Sequence, residues 1–461
     1  MTASHKKEAR AKPAAHKAAS QVDIEAKWRE QRRKIYSSFF WSLVITGLLI
    51  GIKLEIQKTD FGKLLESMTY DLLQLHLKAP ASVNGLPVIV LDISDIPMVA
   101  GKGLNKQVIT ERDQLASIVQ SLADRGNPPK AIGLDIDFSP DEYGYADPAD
   151  PAIFDSFLKI NEKIPVRVGV SASLALPPQK WLIDPKYIEL ASCVIVPNPE
   201  MGSARSMPEW LDVRYPPGPN PDITERCRSM GVALAQKSVP PVRASLRPFV
   251  ETANLLESDQ EQAVSKSEFL VDYSPIDILS KSPPEIRTSD DVNSIDVSNK
   301  IVLLGRTRNT ADEFVVPGRP ERVYPGVFLH ACAAYTLLEK PLYQFTPLGE
   351  IAIDIGISVL LFGVLLIYRL WRHKQRKEVA IEHRTPGFLA CALAALLTVF
   401  AVVFVRWTHL MWDDFILVAV VLVAHTPIEH TLEDIYNWVG RTVGSWRHAS
   451  SSASGSHSEG E

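Results

Sequence analysis

Four aspartates end or follow apolar runs of the chain. Asp92 closes VIVLD, Asp135 and Asp137 close AIGLDID, and Asp312 follows IVLLG. Ligands of open α/β sheets bind beyond the carboxyl ends of the strands, so carboxylates that converge there could hold Ca²⁺, Mg²⁺ or the cationic part of a ligand. The alternative is that they accept hydrogen bonds from loop amides and cap helices.

Two arginines, Arg306 and Arg308, lie in the same loop as Asp312. They could clamp an anionic ligand, or they could pair with the aspartates. In a strand Asp135 and Asp137 share a face, so their charges repel unless a cation or an arginine is near. His330 has apolar neighbours in a predicted helix, which favours a core histidine over a catalytic base.

No motif points to an enzyme or to a cofactor. The GRTRNT loop after Leu304 has one glycine and lacks the second that close phosphate approach requires. Nucleophile elbows and metal-protease helices do not occur either, so we expect neither an activity nor a cofactor. With 49 basic and 54 acidic residues, the chain lacks the basic excess of a nucleic-acid binder.

Of the four cysteines, Cys193 and Cys227 both fall in the segment that we expect outside the cytoplasm. A disulfide between them is permitted there, and spacing alone cannot decide whether it forms. Cys332 and Cys391 are interpreted as packing residues of helices. No CxxC or zinc-finger spacing occurs.

The elements that must position these residues are short, continuous apolar runs. Such runs are typical of strands buried on both faces, as in a largely parallel sheet flanked by helices. Strands are predicted at 88–92, 131–137, 166–170, 193–196, 269–273 and 301–304. Helices are predicted at 61–77, 112–125, 226–236, 248–257 and from Gly326, and the proline-rich segment 207–222 is predicted to be a surface loop.

Apolar segments near both ends predict about four transmembrane helices around this α/β domain of residues 61–341. The segments are 36–53, 348–370, 387–405 and 408–428. Residues 387–405 carry no charge, and Lys53 could snorkel to the far interface. Segment 408–428 could instead be re-entrant or lie on the surface, and a cleavable signal peptide is the alternative for 36–53.

Charge sets the orientation of these segments. The tail 1–35 has ten basic residues against four acidic ones, and the loop 371–386 is also basic. By the positive-inside rule both are cytoplasmic, which places 61–341 in the periplasm. Residues 429–461 are predicted to be an amphipathic helix with interfacial tryptophans and a disordered cytoplasmic tail.

Several motifs, in this order, resemble the type 2 CHASE domain, an extracytoplasmic sensory module of bacterial membrane receptors. They are Tyr70-Asp71, VIVLDIS at 88–94, PKAIGLDIDFS at 129–139, VDYS at 271–274, NKIVLLG at 299–305, Asp312 and PGVFLHACAAYTLL at 325–338. The resemblance implies one membrane helix before the domain, three after it, and homodimers. Family members usually continue into a cytoplasmic output enzyme, which we do not expect here.

The combined prediction is a sensor of the bacterial inner membrane. It would detect an unknown ligand or envelope signal and pass it through its transmembrane helices to a separate signalling or envelope protein. The alternative is a structural or scaffolding membrane protein whose outer domain holds partners together.

Overall fold

The structure is a computed structural model. It describes residues 50–100, 108–138, 150–170, 189–192, 203–214, 224–236, 245–251, 268–308, 312–374 and 385–412, with single positions beside them. The chain divides into two compact units, one of residues 1–63, 351–398 and 416–461, the other of residues 64–350 and 399–415. Strands and helices are numbered below in chain order over the described residues.

The second unit is built on a seven-stranded sheet. Its strands are, in spatial order, β1 (Val88–Asp92), β12 (Ile301–Gly305), β4 (Ala131–Asp135), β5 (Val166–Val170), β6 (Glu189–Ser192), β9 (Thr224–Ser229) and β8 (Trp210–Arg214). Every neighbouring pair is parallel except β8 with β9. The predicted α/β fold with a largely parallel sheet flanked by helices is therefore confirmed.

The two faces of the sheet bury separate cores. Side chains alternate along a strand, so Val88 and Val90 of β1 face one core while Ile89 and Leu91 face the other. Helices α4 (Met230–Ala235) and α6 (Gly326–Glu339) cover the first face, and α2 (Arg112–Ala123) and α3 (Asp150–Asn161) cover the second. Because both faces of the sheet are buried, the sequences of these strands are unbroken apolar runs.

Smaller sheets surround this one. They are β2 (Met98–Ala100) with β3 (Val108–Thr110), β7 (Ser206–Pro208) with β11 (Glu268–Leu270), β13 (Glu313–Val316) with β14 (Arg319–Pro325), and β10 (Val250–Glu251) with β15 (Tyr343–Phe345) and β16 (Leu410–Met411). The remaining helices are α1 (Asp60–His76), α5 (Ile276–Lys281), α7 (Pro347–Lys374) and α8 (Thr385–Thr408), with 3₁₀ turns at Val83–Gly85 and Asp291–Ser294.

Some predicted elements were wrong. The strand predicted at 269–273 is the short antiparallel β11 outside the main sheet. The predicted loop 207–222 contains the edge strand β8, and the predicted helix 226–236 begins as β9. The predicted helix 248–257 includes β10 instead. In each case pairing with a sequence-distant strand overrode the local pattern.

The segments expected in the membrane lie partly outside the described residues. Within the described part of the chain, no helix combines the length and hydropathy that a bilayer crossing requires. Leu410 and Met411, in the predicted segment 408–428, form β16 and pair with β15. Most of 36–52, 375–384 and 421–461 is outside the described residues.

Candidate functional site

Parallel pairing brings the ends of three strands to one edge of the sheet. Asp92 of β1 is level with Gly305 of β12, and Gly305 is level with Asp135 of β4. The two aspartates therefore end the strands on either side of Gly305. A Cβ on that glycine would collide with Val327, so Gly305 lets α6 lie directly against the strand ends.

Asp92 is buried and fully engaged. Its Oδ1 accepts hydrogen bonds from the backbone N–H and hydroxyl of Ser94 and from the Thr307 N–H, the last at 3.2 Å. Its Oδ2 accepts the Arg308 Nε–H at 3.0 Å. Burial alone would raise the pKa of Asp92, but the hydrogen bonds from Ser94 and Thr307 outweigh it and hold the pKa below its usual value.

The two arginines have different partners. Arg308 lies among three carboxylates, with Nη2 at 3.0 Å from Asp95 and Nη1 at 3.3 Å from Glu285 in addition to its bond to Asp92. Arg306 donates to the carbonyl oxygens of Ser94 and Ile96 at 3.2 and 2.9 Å. Together they tie the loop after β12 to the loop after β1.

A second cluster lies beside the first residues of α6. The Asp135 side chain is 8% exposed, and its Oδ1 lies 3.7 Å from Nε2 of the buried His330. Burial raises the pKa of Asp135 to about 7. Partial burial and the neighbouring Asp135 raise the pKa of Asp312 to about 6, against a smaller lowering by His330. A Cβ on Gly326 would collide with the Asp312 carboxylate, so the glycine makes room for it.

The predicted residues thus form two groups. Asp92 is paired with Arg308, and Arg306 of the same loop binds the carbonyl oxygens of Ser94 and Ile96. Asp135 lies near Asp312, whereas Asp137 is exposed two residues beyond the strand. No group of three or more His, Cys, Asp or Glu side chains in the described ranges is arranged to hold a metal ion. Cys227 is buried in β9, but Cys193 is outside the described residues, so their disulfide stays a prediction.

A pocket of about 730 Å³ opens beside the first group. It is lined by Asp92, Thr307 and Arg308, by residues 280–283 and Glu285, and by residues 322–325 and Phe328. Residues 280–283 and Glu285 were not among the site residues predicted from the sequence. The signal that could have identified them is the density of Ser, Lys and Glu in SKSPPE after an apolar helix.

These features define a class of protein. It is an α/β domain that has mutually paired charged side chains, and a pocket large enough for a ligand, at the carboxyl ends of its parallel strands. The model of the CHASE2 domain family matches residues 43–366, and the chain belongs to the CHASE2 family. The predicted resemblance is therefore confirmed, and because CHASE2 domains are extracytoplasmic sensory domains, a sensory role is supported. No curated protein and no solved structure matches the chain.

Proposed function

We propose that this protein is a membrane-anchored extracytoplasmic sensor that passes a signal to a separate protein. The observation that carries the proposal is the CHASE2 match over residues 43–366. A pocket at the strand ends is consistent with it, because open α/β sheets bind ligands at this edge.

The membrane anchor is the predicted set of four helices, with the N-terminus in the cytoplasm and residues 61–341 in the periplasm. A buried ion pair supports it. Lys53 donates to Asp354, 301 residues further along the chain, and both side chains are about 2–3% exposed. Two polar residues in otherwise apolar segments thereby neutralise each other, as ionisable groups inside a bilayer must.

Signal passage would start at α6. Its first turn contributes Phe328 to the pocket, and Pro347, only seven residues after Lys340, opens α7. A ligand that favours one position of α6 would thus bias the start of α7. Such a ligand must bind one arrangement more tightly than the other.

We further propose that the domain binds without catalysing a reaction. The carboxylates at the strand ends are held by neighbouring donors or by burial, and the candidate base His330 is buried against Asp135. Homodimerisation and the absence of nucleic-acid binding remain part of the proposal.

The test is in-cell crosslinking followed by co-purification of the full chain from native membranes. We expect stoichiometric capture of a kinase, cyclase or another regulator. The variant Asp95→Ala/Arg308→Ala is compared with the unmodified chain. It breaks the ion pairs at the strand ends, so we expect it to capture the same partner and to change only the regulatory activity of that partner. Capture of structural envelope proteins only would favour the scaffolding alternative and overturn the sensor proposal.

A further inference from the structure

The pocket beside β1 and β12 has the size of a small-molecule site. Its volume of about 730 Å³ falls within the roughly 300–1,000 Å³ of ligand pockets. All of its lining residues belong to the unit of residues 64–350 and 399–415. They come from the last residue of β1, the loop after β12, the end of α5 and the loop that follows it, β14 and the first turn of α6.

The two carboxylates that line the pocket already have cationic partners. Asp92 accepts from Ser94, Thr307 and Arg308. The Oε1 and Oε2 atoms of Glu285 lie 3.3 Å from Arg308 and 3.4 Å from Arg287. A cationic ligand would therefore compete with Arg308 and Arg287 for these carboxylates and would be repelled by both arginines.

Two lining cations are much less committed. Lys281 is exposed at the end of α5, and among the described residues no carboxylate forms an ion pair with it. Arg322 is 71% exposed and reaches Asp277 only at 3.4 Å, while Asp277 is bound more closely by Arg319, at 2.7 Å. These two side chains thus give the pocket positive charge that an anionic ligand can pair with.

The remaining lining is mixed. The Ser280 hydroxyl can donate a hydrogen bond, whereas the Ser282 hydroxyl already donates to the carbonyl oxygen of Lys281. Val323, which is 54% exposed, and the prolines offer an apolar wall, while Phe328 is only 2% exposed. A fully hydrated inorganic ion would leave that wall unused. An anion with an apolar body would cover it and gain the free energy of burial.

We propose that this pocket binds a small organic anion. Its carboxylate or phosphate group contacts Lys281 and Arg322, and its apolar part lies against Val323 and the lining prolines. The inference rests on the proposed sensor function and specifies its ligand class. By joining the end of α5 to β14 and α6, such a ligand would stabilise one arrangement of these elements.

The test uses the purified full-length chain and titrates it calorimetrically, and by thermal melting, with benzoate and phenyl phosphate. Benzyl alcohol, benzylammonium and inorganic phosphate serve as probes of matched shape or charge. We expect binding and a rise in melting temperature with the two aromatic anions, and at least tenfold weaker binding of the other three.

The variant Lys281→Glu/Arg322→Glu reverses both charges at exposed positions and should weaken benzoate binding at least tenfold. Lys159→Glu/Lys163→Glu reverses two exposed lysines elsewhere in the same unit and should leave it unchanged. Val323→Asp, at a position 54% exposed, adds a negative charge to the wall without opening a core and should also abolish binding.

Three results would each overturn the ligand class. They are equal binding of benzyl alcohol and benzoate, undiminished binding of benzoate by the Lys281→Glu/Arg322→Glu variant, and no binding of either aromatic anion. Partner capture from native membranes in that case would leave the sensor proposal standing. Anion binding without capture of any regulator would support the ligand class and count against the sensor proposal.

Discussion

The carboxyl groups at the strand ends differ in ionisation because their surroundings differ. Asp92 collects hydrogen bonds from a turn, while Asp135, two strands away, faces a buried histidine and a second carboxylate. The same residue type at equivalent positions of β1 and β4, on either side of β12, therefore serves two purposes. Asp92 fixes the loops, and Asp135 makes the domain sensitive to pH.

We predict that Asp135 destabilises the fold as pH rises. Burial raises its pKa from 3.8 to about 7, so the folded chain keeps a proton that the unfolded chain has lost. The free energy of unfolding should fall between pH of about 4 and about 7, with a slope of up to about 1.4 kcal/mol per pH unit from this group. The raised pKa of Asp312 acts with the same sign.

Urea unfolding of the full chain at pH 5 and at pH 8 measures this effect. Asp135→Asn should gain more stability relative to the unmodified protein at pH 8 than at pH 5, where only part of the loss has occurred. The control Asp137→Asn changes an exposed neighbour and should shift both values equally. Parallel pH profiles for Asp135→Asn and the unmodified protein would contradict the prediction.

We predict that Arg308 contributes more to the stability of the fold than its exposure suggests. Its side chain is 44% exposed but carries ion pairs to Asp92, Asp95 and Glu285, which hold three loops together. Arg308→Met leaves the buried Asp92 without its charged partner and should lower the free energy of unfolding measured with urea. Arg287→Met, at a more exposed arginine that also pairs with Asp95 and Glu285, should cost less than half as much.

At the scale of elements, the contact of α4 with α6 depends on one small residue. A Cβ on Gly231 would lie 2.6 Å from the Ala333 Cβ and 3.0 Å from the Ala334 backbone N, which no side-chain rotation relieves. Gly231→Ala should therefore destabilise the domain by about 1–3 kcal/mol, although helix propensity alone favours alanine by about 1 kcal/mol.

Thermal or urea unfolding measures this cost. Gly126→Ala is the matched control, because a Cβ there meets nothing within 4 Å. A Gly231→Ala protein as stable as the Gly126→Ala protein would show that the two helices can separate without cost.

The buried pair of Lys53 and Asp354 connects two distant segments of the other unit. Lys53→Met leaves Asp354 as a buried charge without its partner, which typically costs about 3–5 kcal/mol. The double variant Lys53→Met/Asp354→Leu removes both charges and should recover most of the lost melting temperature. Equal losses in the single and double variants would mean that packing, and not charge pairing, is affected.

At the scale of the whole molecule, orientation decides whether a receptor function is possible. Tags at Ser4 and Ser458 should be protected from antibody in spheroplasts, and a tag at Asp147 should be accessible. The physical reason is the basic excess in 1–35 and 371–386, which by the positive-inside rule predicts that both segments stay in the cytoplasm. Accessible terminal tags with a protected tag at 147 would exclude a periplasmic sensor.

The main sheet could be predicted from the sequence because its central strands and the edge strand β1 are buried on both faces. Residues 88–92, 166–170 and 301–304 form continuous apolar runs, and their strands have nearly those bounds. Helices α1, α2 and α6 could also be predicted, from the helical spacing of their apolar residues or from a glycine at the first position. The motifs in these elements were also sufficient to indicate the CHASE2 family.

Partnerships between distant residues could be decided only by the tertiary structure. Strands β8 and β9 are polar and near prolines, so only their antiparallel pairing makes them strands. The sequence placed carboxylates and arginines at one edge, but the fold joined Arg308 to Asp92, Asp135 to His330 and Lys53 to Asp354. Local patterns record which residues must be buried, whereas the choice of partner depends on strand order and register, which no short stretch of sequence contains.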